Sequence, residues 1–220
     1  MKPIVIFGAG DIAQLAHFYF TRDGGREVAA FTVDAAYLTT DSFQDLPVVA
    51  FDQVAQAYPP ESHDMFIALS YAGINRLRRE KFQAAKALGY TLASYVSSRC
   101  TYLPDAPPGE NCFILEDNTV QPFVSIGDNV TLWSGNHIGH HSTIGAHTFI
   151  ASHVVVSGGV RIGESCFIGV NATLRDHISI GDRCVIGAGA ALFADAEPEG
   201  VYTAVAAERS RVPSSRLKRI

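Results

Sequence analysis

Little in this sequence points to a membrane, to nucleic acid or to disulfide chemistry. No apolar run approaches the ~18 residues that a membrane-spanning helix needs. The first apolar stretch, Ile4–Phe7, is too short for a signal peptide and runs straight into a glycine turn, so a cytoplasmic location is expected. Basic residues are outnumbered, 17 Lys and Arg against 22 Asp and Glu, and the formal net charge of −5 argues against non-specific binding to nucleic acid. The four cysteines, at 100, 112, 166 and 184, make no CxxC pair, so buried free thiols are expected rather than a metal or redox site. With 47% hydrophobic and 18% charged residues the composition is ordinary for a globular chain. A length of 220 residues allows one large or two small domains.

What the chain does have is a strict period. From Ile114 to Leu192 an aliphatic anchor returns every six positions, as at Ile126, Leu132, Ile138, Ile144 and Ile150. A helix repeats near 3.6 and a strand near 2, so a sustained six marks a solenoid of parallel β type. Four residues after each anchor the side chain is mostly small or β-branched, as at Ser142, Val154, Cys166 and Cys184, which reads as a second inward column. One residue after the anchor glycine is frequent, as at Gly127, Gly139, Gly145, Gly163 and Gly169, suiting corners that need positive φ or close backbone approach. Three six-residue faces give an eighteen-residue triangular turn that stacks Cys166 on Cys184 and puts His141, Gly159 and His177 in one column. Gly158-Gly159 and Arg175-Asp176-His177 break the glycine pattern and mark a bend or a contact.

The front half reads differently. Residues 3–7 form a strand-like run, followed by Gly8-Ala9-Gly10-Asp11 and a helix with Leu15, Ala16, Phe18 and Tyr19 on about one face. Strands are expected at 28–33, 65–69 and 90–96, with a helix from Asn75 to Leu88 closed by Gly89. Strands alternating with helices argue a parallel sheet of Rossmann type. The glycine turn places backbone N–H groups and a helix N-terminus where a phosphate would sit, and Asp34 ends the second strand, where a carboxylate suits a ribose hydroxyl. A proline-rich stretch between Ser97 and Asn111 sets the expected boundary near 100: residues 1–100 as a nucleotide-type domain and 101–220 as the coil and its tail.

Six of the eight histidines fall in or near the middle of the coil: His137, His140, His141, His147, His153 and His177. A parallel coil needs none of them for its core. Four sit three residues after an anchor, an outward or corner position, and His140 sits two after.

The hexapeptides, the turn Gly8-Ala9-Gly10-Asp11 and the segment Ile138-Gly139-His140-His141-Ser142-Thr143-Ile144-Gly145 together resemble the hexapeptide-repeat sugar acyltransferases, over nearly the whole chain. That family includes the bacillosamine and perosamine N-acetyltransferases and the sialic-acid O-acetyltransferase-like enzymes. The resemblance implies an α/β Rossmann-like domain followed by a left-handed parallel β-helix, assembled as a homotrimer. It implies acetyl-CoA as co-substrate, no metal, and N-acetylation of a nucleotide-linked amino sugar of the 4-amino-4,6-dideoxy class, with sugar O-acetylation as the close alternative. By position it makes His140 the general base, with His141 as base or partner where relatives often carry a carboxylate; Asn136, Asp117 and Asp128 are other candidates to orient His140. It places Gly8, Gly10, Asp11, Asp34 and Ser70 around the nucleotide sugar, and Phe149, Gly158, Val170 and Ala188 against CoA. Where relatives carry Gly-Val-Pro-Ala-Lys beside CoA, this chain has Ala204-Val205-Ala206-Ala207-Glu208, which leaves Arg209, Arg211, Lys218 and Arg219 as candidate phosphate partners.

Two readings of other classes use the same residues. Coils of this kind also carry γ-class carbonic anhydrase activity, in which histidines from adjacent chains bind zinc, although a nucleotide-type front domain has no purpose there. The other is a sugar-nucleotide-binding protein without catalysis.

Overall fold

The computed structural model of the chain describes residues 1–209 and 211–216. Its front part is an open sheet with helices on both faces. β1 (Ile4–Phe7) is flanked by β2 (Val28–Val33) on one side and β5 (Asp64–Ile67) on the other, both parallel to it. β4 (Leu46–Ala50) extends the sheet beyond β2, and short antiparallel β3 (Ser42–Phe43) caps that edge, giving the order β3-β4-β2-β1-β5. The helices α1 (Asp11–Arg22), α2 (Val54–Ala57) and α3 (Arg76–Ala87) complete this part. β1 is buried on both faces, which is why it is written as the unbroken run Ile-Val-Ile-Phe. Because β1 has neighbours reached in opposite directions, the sheet leaves a crevice beyond the carboxyl ends of β1, β2 and β5.

Two expectations need correction. The buried face of α1 is Ala13, Ala16 and Phe20, spaced three and four apart, while Phe18 points outward and is 55% exposed. The run at 90–96 is not a full strand of the front sheet: Leu92 makes a bridge to Met65, and Tyr95–Val96 already pairs with Phe113–Ile114 in the coil. One apolar segment serves both parts, so its composition alone does not divide them.

The rest is a three-sided parallel β-helix. Strands of two residues pair in parallel with strands eighteen residues on, as Ser125 with Thr143, His137 with Val155 and Phe149 with Phe167. The first face holds seven strands from Tyr95–Val96 to Val201–Tyr202, the second six from Thr101–Tyr102 to Ala191–Leu192, and the third four from Ser125–Ile126 to Ser179–Ile180. Both inward columns are buried, with Ile138, Ile150, Val154, Val160, Cys166 and Cys184 fully enclosed. Burying one such aliphatic side chain contributes roughly 1.5–3 kcal/mol, more than the net ~1 kcal/mol of a backbone hydrogen bond, so the stacked columns rather than the short strands hold the coil. The cysteines are unpaired, and burial pushes the thiols of Cys112 and Cys166 up to about 12.

The glycines one residue after the anchors serve close approach, not positive φ. A Cβ at Gly145 would stand 2.5 Å from the carbonyl carbon of Gly163, and one at Gly169 would stand 2.6 Å from the nitrogen of Ala188. The left-handed backbone falls two residues later: Phe123, Asn129, His141, His147, His153, Asn171 and His177 have φ between 58° and 65°. Asn and His are among the non-glycine residues that tolerate this conformation best, which gives four of the coil histidines a conformational reason to be at corners.

The front part docks on the first face. Tyr71 packs on Phe149 and Phe167 at 5.0 and 4.6 Å, and Phe66 on Phe113 at 5.4 Å. Arg78 of α3 is fully buried in this junction. Its guanidinium donates to the Thr131 hydroxyl, to Asn75 Oδ1 at 3.1 Å and to the carbonyl oxygens of His147 and Thr148 at 3.1 and 3.3 Å. Burial lowers its pKa to about 10, so it stays protonated near neutral pH. Asn75 in turn donates to the Cys166 carbonyl at 3.0 Å.

Candidate functional site

The prism has three corner columns, and one is chemically unlike the others. Between the second and third faces run, coil by coil, Gln121-Pro122-Phe123, Gly139-His140-His141, Ser157-Gly158-Gly159, Arg175-Asp176-His177 and Phe193-Ala194-Asp195. The anchor-plus-one glycine is kept here at Gly139 and replaced at Gln121, Ser157, Arg175 and Phe193.

His140 follows the strand His137–Ile138 and is exposed. Its backbone N–H donates to Gln121 Oε1 at 2.9 Å, and its Nδ1 lies 3.0 Å from Nδ1 of His141. The His141 ring leans on Phe123, centroids 4.7 Å apart. Since the two Nδ1 atoms face each other, one carries the shared proton and the other accepts it. With the proton on His140, its Nε2 lone pair is presented to solvent as a base. Gly158 lies against that ring, and among the described residues its N–H has no hydrogen-bond acceptor.

Asn136, Asp117 and Asp128 do not orient His140. Asn136 is buried and bonded to Trp133 and Val154, Asp117 N–H donates to the Arg99 carbonyl across another corner, and Asp128 accepts from Glu110 N–H. Among the described residues no carboxylate hydrogen-bonds either imidazole of the pair, and the side chain that meets the His140 ring nitrogen is His141.

A second site opens in the front part. A cavity of about 370 Å³ sits beyond the carboxyl ends of β1, β2 and β5, bounded by Gly8, Ala9, Val33, Asp34 and Leu69 and by Leu77 and Lys81 of α3. Tyr37, Thr39, Thr40 and Phe43 close its outer side. Gly8 adopts φ +123°, and a Cβ there would stand 2.9 Å from the Ala68 carbonyl oxygen. Asp34 Oδ1 accepts from Lys81 Nζ at 2.5 Å, and that ammonium lies 5.2 and 5.3 Å from the ring centroids of Phe7 and Phe51.

The remaining expected residues are placed as follows. Gly10 is the N-cap of α1 with open space where a side chain would be, and exposed Asp11 stands in the first turn, where its charge favours the helix dipole. Ser70 is half-buried, next to Leu69 of the cavity wall. Val170 and Ala188 share a corner column, but it joins the first face to the second and is not the column of His140 and Gly158. Phe149 departs from its expected role: it is 2% exposed, enclosed by Tyr71, Trp133, Phe167 and Arg78, and packs the junction instead of lining a groove. Arg209 and Arg211 are exposed, while Lys218 and Arg219 lie outside the described residues. Gln121, Phe123 and Lys81 were not singled out from sequence; the loss of glycine at 121, eighteen before Gly139, is the signal that marks the first two. Among the described residues no group of three or more His, Cys, Asp or Glu is arranged to hold a metal ion, and no helix is long and apolar enough to cross a membrane.

Comparison with known proteins extends this picture. Residues 124–158 match the model of the bacterial transferase hexapeptide (six repeats), and residues 159–194 match that of the hexapeptide repeat of succinyl-transferase. Curated protein sequences give no significant match. Among solved structures the chain is similar to PerB from Caulobacter crescentus, in complex with CoA and GDP-perosamine, with a TM-score of 0.82 and 24% identity over 93% of this chain and 95% of that one. It is similar to the acetyltransferase domain of PglB from Neisseria gonorrhoeae, with a TM-score of 0.80 and 25% identity over 93% and 97%. WeeI from Acinetobacter baumannii gives a TM-score of 0.76 at 18% identity over 91% and 96%. These likenesses cover both parts, an α/β domain followed by a left-handed β-helix. The unbroken six-residue period, its match to two transferase repeat models and the architecture shared along nearly the whole chain give this protein the repeat and fold of the hexapeptide-repeat acetyltransferases it resembles.

Proposed function

We propose that this enzyme transfers the acetyl group of acetyl-CoA to the amino group of a sugar carried on a nucleoside diphosphate. The observation that carries the reading is the imidazole pair at 3.0 Å, with the Gly158 N–H beside it, on an exposed corner. A cavity of nucleotide-binding type in the same chain supports it. So do similar structures, one in complex with CoA and GDP-perosamine and another in complex with acetyl coenzyme A.

In this mechanism His140 Nε2 takes a proton from the sugar amine as its nitrogen attacks the thioester carbonyl. His141 accepts the Nδ1–H of His140, and that bond strengthens as the imidazolium forms. The Gly158 N–H donates to the oxyanion of the tetrahedral intermediate. The carbon–sulfur bond then breaks, the amide is left on the sugar, and the proton on His140 passes to the departing thiolate. The nucleotide rests in the front cavity near Gly8, Gly10, Asp34 and Ser70. The donor follows the column of Val170 and Ala188 toward the open groove of about 630 Å³ lined by Gly189, Phe193, Tyr202 and Ala204.

Within one chain the donor column and the base column are different corners of the prism. A homotrimer brings one chain's donor column against its neighbour's base column, so the site belongs to pairs of chains. The test is thiol release from acetyl-CoA with a panel of nucleotide-linked 4-amino sugars. His140→Ala lowers kcat about 10²-fold or more and His141→Ala lowers it less. Full turnover in both variants refutes the base assignment.

A further inference from the structure

The front cavity holds an ion pair that the acetyl-transfer chemistry does not use. Asp34 and Lys81 are 47 positions apart in sequence and meet at 2.5 Å on the wall of this cavity. Two aromatic rings fix the ammonium from behind, through contacts of 5.2 Å to Phe7 and 5.3 Å to Phe51. Around the pair the lining is largely apolar: Val33, Tyr37, Phe43, Val48 and Leu77. A wall of this kind suits the flat face of a heteroaromatic ring.

We infer that Asp34 and Lys81 together read the base of the nucleotide, and that the base is guanine. The assignment rests on the nucleotide-sugar reading above and sharpens it. A carboxylate is acceptor-only and an ammonium is donor-only. Side by side they present two acceptors and then a donor. Guanine offers the complement on one edge: the N2 and N1 hydrogens for the carboxylate and O6 for the ammonium. Uracil and thymine offer acceptor, donor, acceptor, which sets a carbonyl oxygen against a carboxylate oxygen. Adenine and cytosine offer one donor group to the carboxylate, so half of the acceptor capacity goes unused. Tyr37, 74% exposed at the outer side, is free to stack on the ring once it is seated.

Calorimetric titration of the full-length protein with GDP, UDP, dTDP, CDP and ADP tests this. GDP is expected to bind at least tenfold more tightly than the other four, the order set by one bidentate base contact. In Asp34→Asn and Lys81→Met the affinity for GDP drops about tenfold while UDP and dTDP change by less than about threefold. Equal or tighter binding of any other diphosphate to the wild-type protein overturns the guanine assignment and leaves the nucleotide reading standing. A uniform loss for all five in the variants also overturns it, because the pair then holds the ribose. Failure of every nucleotide to bind defeats the nucleotide reading itself.

Discussion

Gly158 is built against the imidazole of His140: a Cβ on it would stand 2.7 Å from Cε1 and 2.9 Å from Nε2. The ring therefore occupies the space a side chain at 158 would need, and Nε2, the atom assigned the proton, lies on that side. Gly158 is not in the left-handed region, so close approach alone accounts for glycine here.

Gly158→Ala is expected to lower kcat tenfold or more with little loss of stability. The group displaced is an exposed ring that can swing away, so the cost falls on its placement rather than on the coil. Steady-state kinetics beside thermal unfolding checks this; unaltered kcat would show that the ring need not sit where it does.

Separation of the donor and base columns predicts complementation. Ala188→Trp blocks the donor column and His140→Ala removes the base, so each variant alone is expected to be inactive. Trimers assembled at random from equal amounts of both regain roughly a quarter of wild-type sites, since a productive pair needs one intact edge from each. Absence of recovery, together with a monomeric mass in light scattering, refutes the shared site.

Arg78 joins α3 to the coil through Thr131, His147 and Thr148 with no carboxylate bonded to it among the described residues. Arg78→Ala takes the guanidinium donor from the buried Thr131 hydroxyl and His147 carbonyl, while the Thr148 carbonyl keeps the Thr131 N–H, and opens a cavity, at a cost of roughly 3 kcal/mol or more. Arg78→Lys keeps the charge and loses the fork, so it recovers only part. Denaturant unfolding measures both; a loss under about 1 kcal/mol for Arg78→Ala would remove the residue from the junction's energetics.

His147 gives stability a pH dependence. Burial, then the charges of Arg79 and Arg78, lower its pKa to about 4, and its Nδ1 accepts from Asn129 Nδ2 at 2.9 Å. The folded state thus favours the neutral ring. The unfolded chain takes up a proton near the ordinary value of about 6.5, so this contribution is full above that pH and is lost as pH falls toward 4. Unfolding midpoints are expected to decline over that window. In His147→Asn, which suits the same left-handed corner, the decline is shallower. Parallel curves for the two proteins would assign the loss to other groups.

How much the sequence discloses depends on the range of each interaction. The coil is legible because one inward position must be filled identically at each six-residue step, and Ile138, Ile144 and Ile150 do so in plain order. The proposed catalytic corner is half legible: His140 and Gly158 stand out, but the pairing of imidazoles through Nδ1 is a side-chain geometry. The hairpin of β3 and β4 turns on Gln44 and Asp45 at φ 52° and 60° without a glycine to announce it. Arg78 lies in the run Arg76-Leu77-Arg78-Arg79, which reads as a solvated helix face, and Lys81 reaches Asp34 only through the tertiary fold. Phe149 shows the opposite error, since its inclusion rested on likeness and its burial comes from Tyr71 and Arg78 of a distant segment.

The stacking of each residue on the one eighteen positions away ties chain length to chemistry. Losing a single residue after Ile150 would turn every later side chain out of phase, carrying Val170 and Ala188 off their corner and into the wall. Removing a whole revolution keeps each side chain on its own corner and slides the distal donor end by one strand spacing, about 4.8 Å. Length variation compatible with the fold is therefore quantised, and on the proposed donor path the number of revolutions between His140 and the far end of the coil sets the reach required of the acyl carrier.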